Sequence, residues 1–341
     1  MNDVFYYVYS QGLLGVKTND KSFKWIYGSN SPVTTMEEYE SCLVKFDITF
    51  KKEKHLEQNK ECDKNFQAFK WDSSNRKLYY RRKMPFNLEI GYDLKITDDT
   101  VYVNVGECYN KFVKNRVMNL HGIYYLLSDI ANVILLQKGF LTLYASSVYS
   151  KKSERCVVNF APPSTGKTVT AMKLCETSEC MLLGEDIILT DGKKVYACPW
   201  TKSYRGKKGR ALDSTGSLFR SEIPIDVELA KECNLTDITV LSFGEKKAEE
   251  NSELILKLIP ILNGYLFHYY SSPIVKVLSY FDEEYDKPWE KMSNTLICDM
   301  VSRSKCYLVQ AKTSEEFADV VKEKIIGKSN ENFSYIKKCL G

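Results

Sequence analysis

Apolar and polar positions change their spacing along the 341 residues, and the changes divide the chain. Up to about residue 110 they alternate in twos, or gather in short β-rich runs bounded by turn residues. Val4-Phe-Tyr-Tyr-Val-Tyr9, Cys42 to Phe50, Lys77-Leu-Tyr-Tyr80 and Thr100-Val-Tyr-Val-Asn-Val105 predict strands. Asp98-Asp99 suits a hairpin turn before the last of them. Lys51 to Lys64 is strongly charged and predicts a loop or a solvated helix. Residues 1–112 read as a mostly antiparallel, β-rich N-terminal domain.

The spacing then becomes threes and fours. Val117, Leu120, Ile123, Tyr124, Leu127, Ile130, Ala131 and Ile134 predict a helix from Asn115 to Gln137, which Gly139 ends. A strand is expected over Leu141 to Tyr149, then Cys156 to Phe160, a glycine loop, a helix over Thr168 to Glu176 and a strand at Met181 to Leu183. Ile187 to Leu189 is expected to continue that strand past an acidic pair. Val195 to Cys198, Ile238 to Phe243 and Cys306 to Val309 read as further strands, Ser252 to Leu262 as a helix. Thr313 to Lys324 predicts a closing helix, capped by Thr313 or Ser314 and favoured by Glu315 and Glu316 at its positive end. Tyr270 to Met292 gives no clear pattern. Strands alternating with helices predict an α/β core over 113–330, followed by a tail at 331–341.

Composition narrows the class only a little. A hydrophobic fraction of 44% and a charged fraction of 27% exclude a disordered chain. The net charge of +4, from 48 basic and 44 acidic residues, is too balanced for a surface built to bind nucleic acid. The 11 cysteines contain no C-x-x-C pair and there are 3 histidines, so no zinc-ligand spacing exists. The odd cysteine count and the lack of a signal peptide set the expectation of reduced thiols and a cytoplasmic protein. The most apolar stretch, Ile130 to Leu143, is broken by Asn132, Gln137 and Lys138, so no membrane span is expected.

The chemistry enters at Ala161-Pro-Pro-Ser-Thr-Gly-Lys-Thr168, which matches G-x-x-x-x-G-K-[ST] except for Ala at its first position. Gly166 lets the backbone approach a phosphate without a Cβ in the way. The amides from Ser164 to Thr168 and the positive end of the following helix form an anion cradle. Lys167 supplies a mobile charge for the β- and γ-phosphates, and Thr168 a hydroxyl for Mg2+. Pro162-Pro163 removes two N–H donors from the entrance, which leaves the later amides to form the cradle. Eighteen residues beyond Lys167, Gly184-Glu185-Asp186 stands between two apolar runs. An acid at a strand end beside such a loop can hold Mg2+, and a second can take a proton from an attacking hydroxyl.

The run Gly139-Phe-Leu-Thr-Leu-Tyr-Ala-Ser-Ser-Val148, the phosphate loop and Leu-Leu-Gly-Glu-Asp-Ile-Ile-Leu together resemble the HPr kinase-like group. That group shares its P-loop fold with ATP-dependent phosphoenolpyruvate carboxykinases. The resemblance covers about Gly139 to Thr201, includes Pro199-Trp200, and weakens towards Lys324. It implies a P-loop kinase domain of that type behind the β-rich N-terminal domain. It places Asp186 at the metal-binding acid and Glu185 at the catalytic base. Besides Ala161, two positions outside the loop depart from the group's usual pattern: Tyr144 stands where its members carry His, and Glu185 where they carry Asp. Peptide-tailoring members have an extra N-terminal β-rich domain, which implies a role in peptide recognition for residues 1–112.

Lys202-Ser-Tyr-Arg-Gly-Lys-Lys-Gly-Arg210 is basic and glycine-punctuated. It reads either as a solvated loop or as one that closes over a triphosphate, with Arg205, Lys207 and Lys208 as the candidates. Arg76 to Lys83, with Tyr79 and Tyr80, reads as an exposed strand better suited to an acidic peptide than to RNA. The expectation is therefore an ATP- and Mg2+-dependent kinase for a Ser or Thr hydroxyl on a peptide or protein, such as a ribosomally made precursor peptide. Ser164, Thr165, Gly166, Lys167 and Thr168, with Arg205 and Lys207, would hold the nucleotide. Thr168 and Asp186 would hold the metal, and Lys167, Glu185 and Asp186 would carry the chemistry. A degenerate module that binds nucleotide and peptide without turnover, and a small-molecule kinase, stay open as alternatives.

Overall fold

The computed structural model describes residues 3–21, 23, 25–28, 32–56, 62–85, 88–114, 122–178, 180–199, 203–204, 223–224, 227–270, 274–285 and 287–327. The architecture is mixed α/β with several sheets. Two compact units interleave along the chain, so each takes residues from both sides of position 112. The first comprises Met1–Ile26, Ser31–Gly139 and Phe267–Met292; the second comprises Tyr27–Asn30, Phe140–Leu266 and Ser293–Gly341.

The first unit holds β1 (Phe5–Tyr9), β2 (Leu14–Thr18), β3 (Val33–Thr34), β4 (Val44–Lys51), β5 (Lys64–Phe66), β6 (Phe69–Asp72), β7 (Lys77–Lys83), β8 (Glu89–Ile96) and β9 (Thr100–Gly106). They form one sheet in the order β3-β1-β2-β4-β9-β8-β7-β6-β5. Neighbours are antiparallel except at β4, which runs parallel to β2 and to β9. In β4, Val44, Phe46 and Ile48 are fully buried while Lys45, Asp47 and Thr49 between them are not. The β8–β9 hairpin turns at Asp98-Asp99, where the amide of Thr97 donates to the carbonyl of Thr100 at 2.9 Å.

Residues 115–121, where the long helix was expected to begin, lie outside the described residues. A helix spans Ile123–Gln137 and buries Leu126, Leu127, Ile130, Ala131 and Ile134. Gly139 follows it at φ 84°, the left-handed conformation that lets a chain leave a helix. Below the helix the indole of Trp25 donates to Ser128 Oγ at 2.9 Å and meets the Phe46 ring edge-on, with centroids 4.9 Å apart. Among the described residues of Lys51 to Lys64 there is a short 3-10 turn, Glu53–His55. The stretch without a readable pattern contains the helix Ile274–Phe281, whose Phe281 ring stacks on Trp71 of β6.

The second unit contains β10 (Leu141–Leu143), β11 (Ser146–Ser150), β12 (Arg155–Phe160), β13 (Cys180–Gly184), β14 (Ile188–Thr190), β15 (Lys194–Tyr196), β16 (Ser203–Tyr204), β17 (Ile223–Pro224), β18 (Glu232–Asn234), β19 (Asp237–Phe243), β20 (Lys247–Glu250) and β21 (Lys305–Ala311). A six-stranded sheet runs β13-β11-β12-β19-β21-β20, a four-stranded one runs β10-β14-β15-β18, and β16 pairs with β17. β12, β19 and β21 are mutually parallel neighbours. Every residue of β12 is buried, as a strand covered on both faces requires. The helices Lys167–Ser178 and Ser314–Val321 pack together with Val157, Leu182, Leu241 and Val309 through Met172, Leu174, Phe317 and Val321. Thr313 caps the second helix by accepting the Glu316 amide at 3.2 Å, and a π-helical turn, Lys322–Ile326, continues it.

Two strands expected to be continuous are each divided between sheets. Leu141 to Tyr149 splits into β10 and β11, because the side chain of Asn263 captures the backbone between them. Its Oδ1 accepts the Tyr144 amide at 2.8 Å and its Nδ2 donates to the Thr142 carbonyl at 3.2 Å. Likewise Ile187 to Leu189 does not extend β13; after the turn at Glu185-Asp186 the chain pairs with β10. Among the described residues, no helix is long and apolar enough to cross a membrane.

Candidate functional site

The antiparallel strand β11 lies between β12 and β13, so it begins at the edge of the sheet where both of them end. Ser146 faces Asn159 of β12, and Ser147 faces Gly184 of β13 across a local shift in register. Three segments therefore meet there: Tyr144-Ala145 before β11, the loop Ala161–Lys167 after β12, and Glu185-Asp186 after β13. The ends of parallel strands in an α/β sheet are where such folds bind ligands.

The loop turns sharply because Ser164 has φ 63° and Gly166 φ 113°. It enters a helix that starts at Lys167 and whose first free amides point back at the loop. The glycine at 166 answers a second demand. A Cβ there would lie 2.3 Å from the Ser314 hydroxyl and 2.5 Å from the Ser314 Cβ. Ser314 donates to the Thr165 carbonyl at 3.3 Å, and Thr170 Oγ1 donates to the Ser314 carbonyl at 3.3 Å, so the loop is pinned to the start of the closing helix.

Lys167 is only 5% exposed. Its Nζ donates to the Ala161 carbonyl at 3.0 Å and stands 3.8 Å from the centroid of the Tyr144 ring. A desolvated ammonium over an aromatic face gains about 2 kcal/mol, more than the ~1 kcal/mol of an ordinary hydrogen bond. Burial still dominates its protonation. It pulls the ammonium down to about 8, while the charge of Asp186 works in the opposite direction.

Glu185 is buried and Asp186 half-buried. The Thr168 hydroxyl donates to the Glu185 carbonyl at 3.3 Å, which ties the first turn of the loop helix to the acidic turn. Lys167, Thr168, Glu185 and Asp186 are thus gathered in one place. Thr168 Oγ1 and the Asp186 carboxylate are hard oxygen donors of the kind that suit Mg2+. Among the described residues, no group of three or more His, Cys, Asp or Glu side chains has the spacing to hold a metal by itself.

Beneath the loop runs a buried polar chain that motif reading missed. Thr239 Oγ1 on β19 donates to Asn159 Oδ1 at 2.7 Å, and Asn159 Nδ2 donates to Ser146 Oγ at 3.4 Å. Ser146 Oγ in turn donates to the Lys167 carbonyl at 3.2 Å. Thr239, Asn159 and Ser146 are fully buried, and such groups are retained at little cost only when hydrogen-bonded. The available signal was a lone Asn in the apolar run Cys-Val-Val-Asn-Phe160 and a lone Thr in Ile-Thr-Val240. Asn263 could have been noticed in the same way, as one amide inside Ile-Leu-Asn-Gly-Tyr-Leu266.

Arg205, Lys207 and Lys208 lie outside the described residues. A cleft of about 820 Å3 in the first unit, lined by Asn19, Phe50, Lys52, His55, Glu107 and Lys111 among others, contains none of the motif residues. No family model and no curated protein matches the chain. Among solved structures, the HPr(Ser) kinase/phosphatase from Coxiella burnetii is similar over 33% of this chain and 78% of its own, with 13% identity and a TM-score of 0.21, a likeness too slight to fix a fold or an activity.

Proposed function

We propose that the chain is an ATP- and Mg2+-dependent phosphotransferase that acts on a hydroxyl group, with a Ser or Thr of a peptide or protein as acceptor. One observation carries this reading: the loop Ala161–Thr168, between β12 and the helix it enters, meets Glu185 and Asp186 through the Thr168 hydroxyl. The amides from Ser164 to Thr168 would hold phosphate oxygens, Lys167 would neutralise their charge, and Thr168 with Asp186 would hold the metal. Bound Mg2+ supplies charge neutralisation on the phosphates. Glu185 would accept the proton of the acceptor hydroxyl, at a buried position that a small rearrangement must open. Transfer of label from γ-labelled ATP to candidate acceptors tests the reading, with Lys167→Ala expected to abolish it. Glu185→Gln is expected to cut turnover at least a hundredfold while nucleotide stays bound. Full turnover in Glu185→Gln would remove that residue from the base role.

A specific observation supports a second reading, a module that binds nucleotide without turning it over. Glu185, the candidate base, is only 2% exposed and so is closed off from an acceptor hydroxyl. Tight ATP binding without transfer to any acceptor, and without slow hydrolysis, would select this reading over the first.

A further inference from the structure

From the contact between Tyr144 and Lys167 we infer that Tyr144 is a brake on phosphate binding. Its ring is a seat that retains the Lys167 ammonium while the site is empty, and the ammonium must leave it to meet a phosphate. The inference rests on the phosphate-loop reading and adds a residue that tunes its affinity. The seat is built, not incidental. Nζ sits 3.8 Å from the ring centroid and 3.0 Å from the Ala161 carbonyl, and both Lys167 and Tyr144 are buried. The backbone of Tyr144 is held by Asn263 from the helix Ser252–Tyr270. The Tyr144 ring also faces Tyr265 of that helix, with centroids 6.4 Å apart.

A binding site pays for every contact that its empty state must give up. The seat and the Ala161 bond stabilise the empty state alone, so they lower affinity for the phosphate by the same factor. Weakening the π-face must therefore tighten binding. This is the opposite of what deleting a true phosphate contact would do.

The test is a calorimetric titration with inorganic pyrophosphate of the full chain carrying phenylalanine, or its mono-, di- and trifluoro analogues, at position 144. Ring fluorination drains the π-face in steps while leaving size and packing nearly constant. Affinity is expected to rise stepwise, by roughly tenfold across the series, with Tyr144→Phe itself close to the natural protein. Tyr144→Leu is expected to bind more tightly than Tyr144→Phe by a similar factor. A flat series overturns the brake, and a falling one makes the ring part of the phosphate site and overturns it as well. Lys167→Met separates this failure from that of the underlying reading. If the natural protein binds pyrophosphate and Lys167→Met does not, the phosphate loop stands whatever the series shows. If the natural protein binds none, both fall.

Discussion

Substituting Gly166 by alanine should test how the loop is fitted to its surroundings, because two separable costs coincide there. The first is local. A φ of 113° is a conformation that residues with a Cβ rarely adopt, and forcing it costs about 1–3 kcal/mol. The second is steric. The new Cβ would stand 2.3 Å from Ser314 Oγ and 2.5 Å from Ser314 Cβ. The Cβ cannot rotate away, and overpacking of this kind costs about 1–3 kcal/mol. Gly166→Ala alone should therefore lose roughly 3–4 kcal/mol in urea denaturation. In a Ser314→Gly background the nearest remaining atom is the Ser314 Cα, at 3.4 Å, an ordinary contact. There the same substitution should cost about half as much, leaving a coupling of roughly 1–2 kcal/mol between the two positions. Ser314→Gly loses the bond to the Thr165 carbonyl, but the double-mutant cycle cancels that loss. An equal cost in both backgrounds, within about 0.5 kcal/mol, would refute the steric half of the reasoning.

Lys167 and Arg155 give two more tests. The Lys167 ammonium lies near 8 in the folded protein against an ordinary 10.5, so below pH 8 the fold carries the whole penalty of burying the charge, about 3 kcal/mol. Between pH 8 and 10.5 the unfolded chain binds the proton that the folded one has released, so stability rises with pH through that window. Lys167→Met should thus be more stable than the natural protein at pH 7, with the gap closing by pH 10.5; a constant gap in pH-dependent denaturation would contradict the buried charge. Arg155 and Asp237 form a buried pair at 2.8 Å, and burial pushes the Asp237 carboxyl up against the pull of Thr236 and Arg155. Asp237→Ala removes the buried guanidinium's charge partner and should cost about 3–5 kcal/mol, whereas the pair replaced together by apolar residues should cost much less. Urea denaturation of both variants checks the order.

Local pattern revealed elements well where burial follows a period, and poorly where a single side chain diverts the backbone. Val44, Phe46 and Ile48 alternate cleanly, and β4 lies where their spacing placed it. The run Leu141 to Tyr149 looked like one strand because Leu-Thr-Leu-Tyr-Ala-Ser-Ser-Val-Tyr contains no Gly, Pro or charged residue to mark a break. What divides it is Asn263, more than a hundred residues away, which takes the amide of Tyr144 out of any ladder. No window on residues 141 to 149 contains that information. The parallel placement of β4 between β2 and β9 was equally hidden, since alternation fixes which side chains share a face and not which strand lies next door. The helix Ile274–Phe281 was missed for a simpler reason: at eight residues it is too short for its apolar spacing to show against the acidic run that follows it.

The motif itself was legible because its chemistry forces residue types into a short window: a glycine where the backbone must bend, a lysine, a hydroxyl. The parts that decide how it behaves come from distant chain. Tyr144 is one such part, set before β11 and not in the motif's own window. A neutral, electron-rich ring attracts the ammonium of the loop lysine, which stands 3.8 Å from its centroid. Asn263 then matters beyond dividing two strands, because the bond that ends β10 also fixes the backbone that carries the ring. The polar chain from Thr239 through Asn159 and Ser146 reaches the same lysine from below, through its carbonyl rather than its ammonium. Backbone and side chain of Lys167 are thus held by separate groups. A change at Tyr144 should therefore reset the ammonium and leave the path of the loop intact.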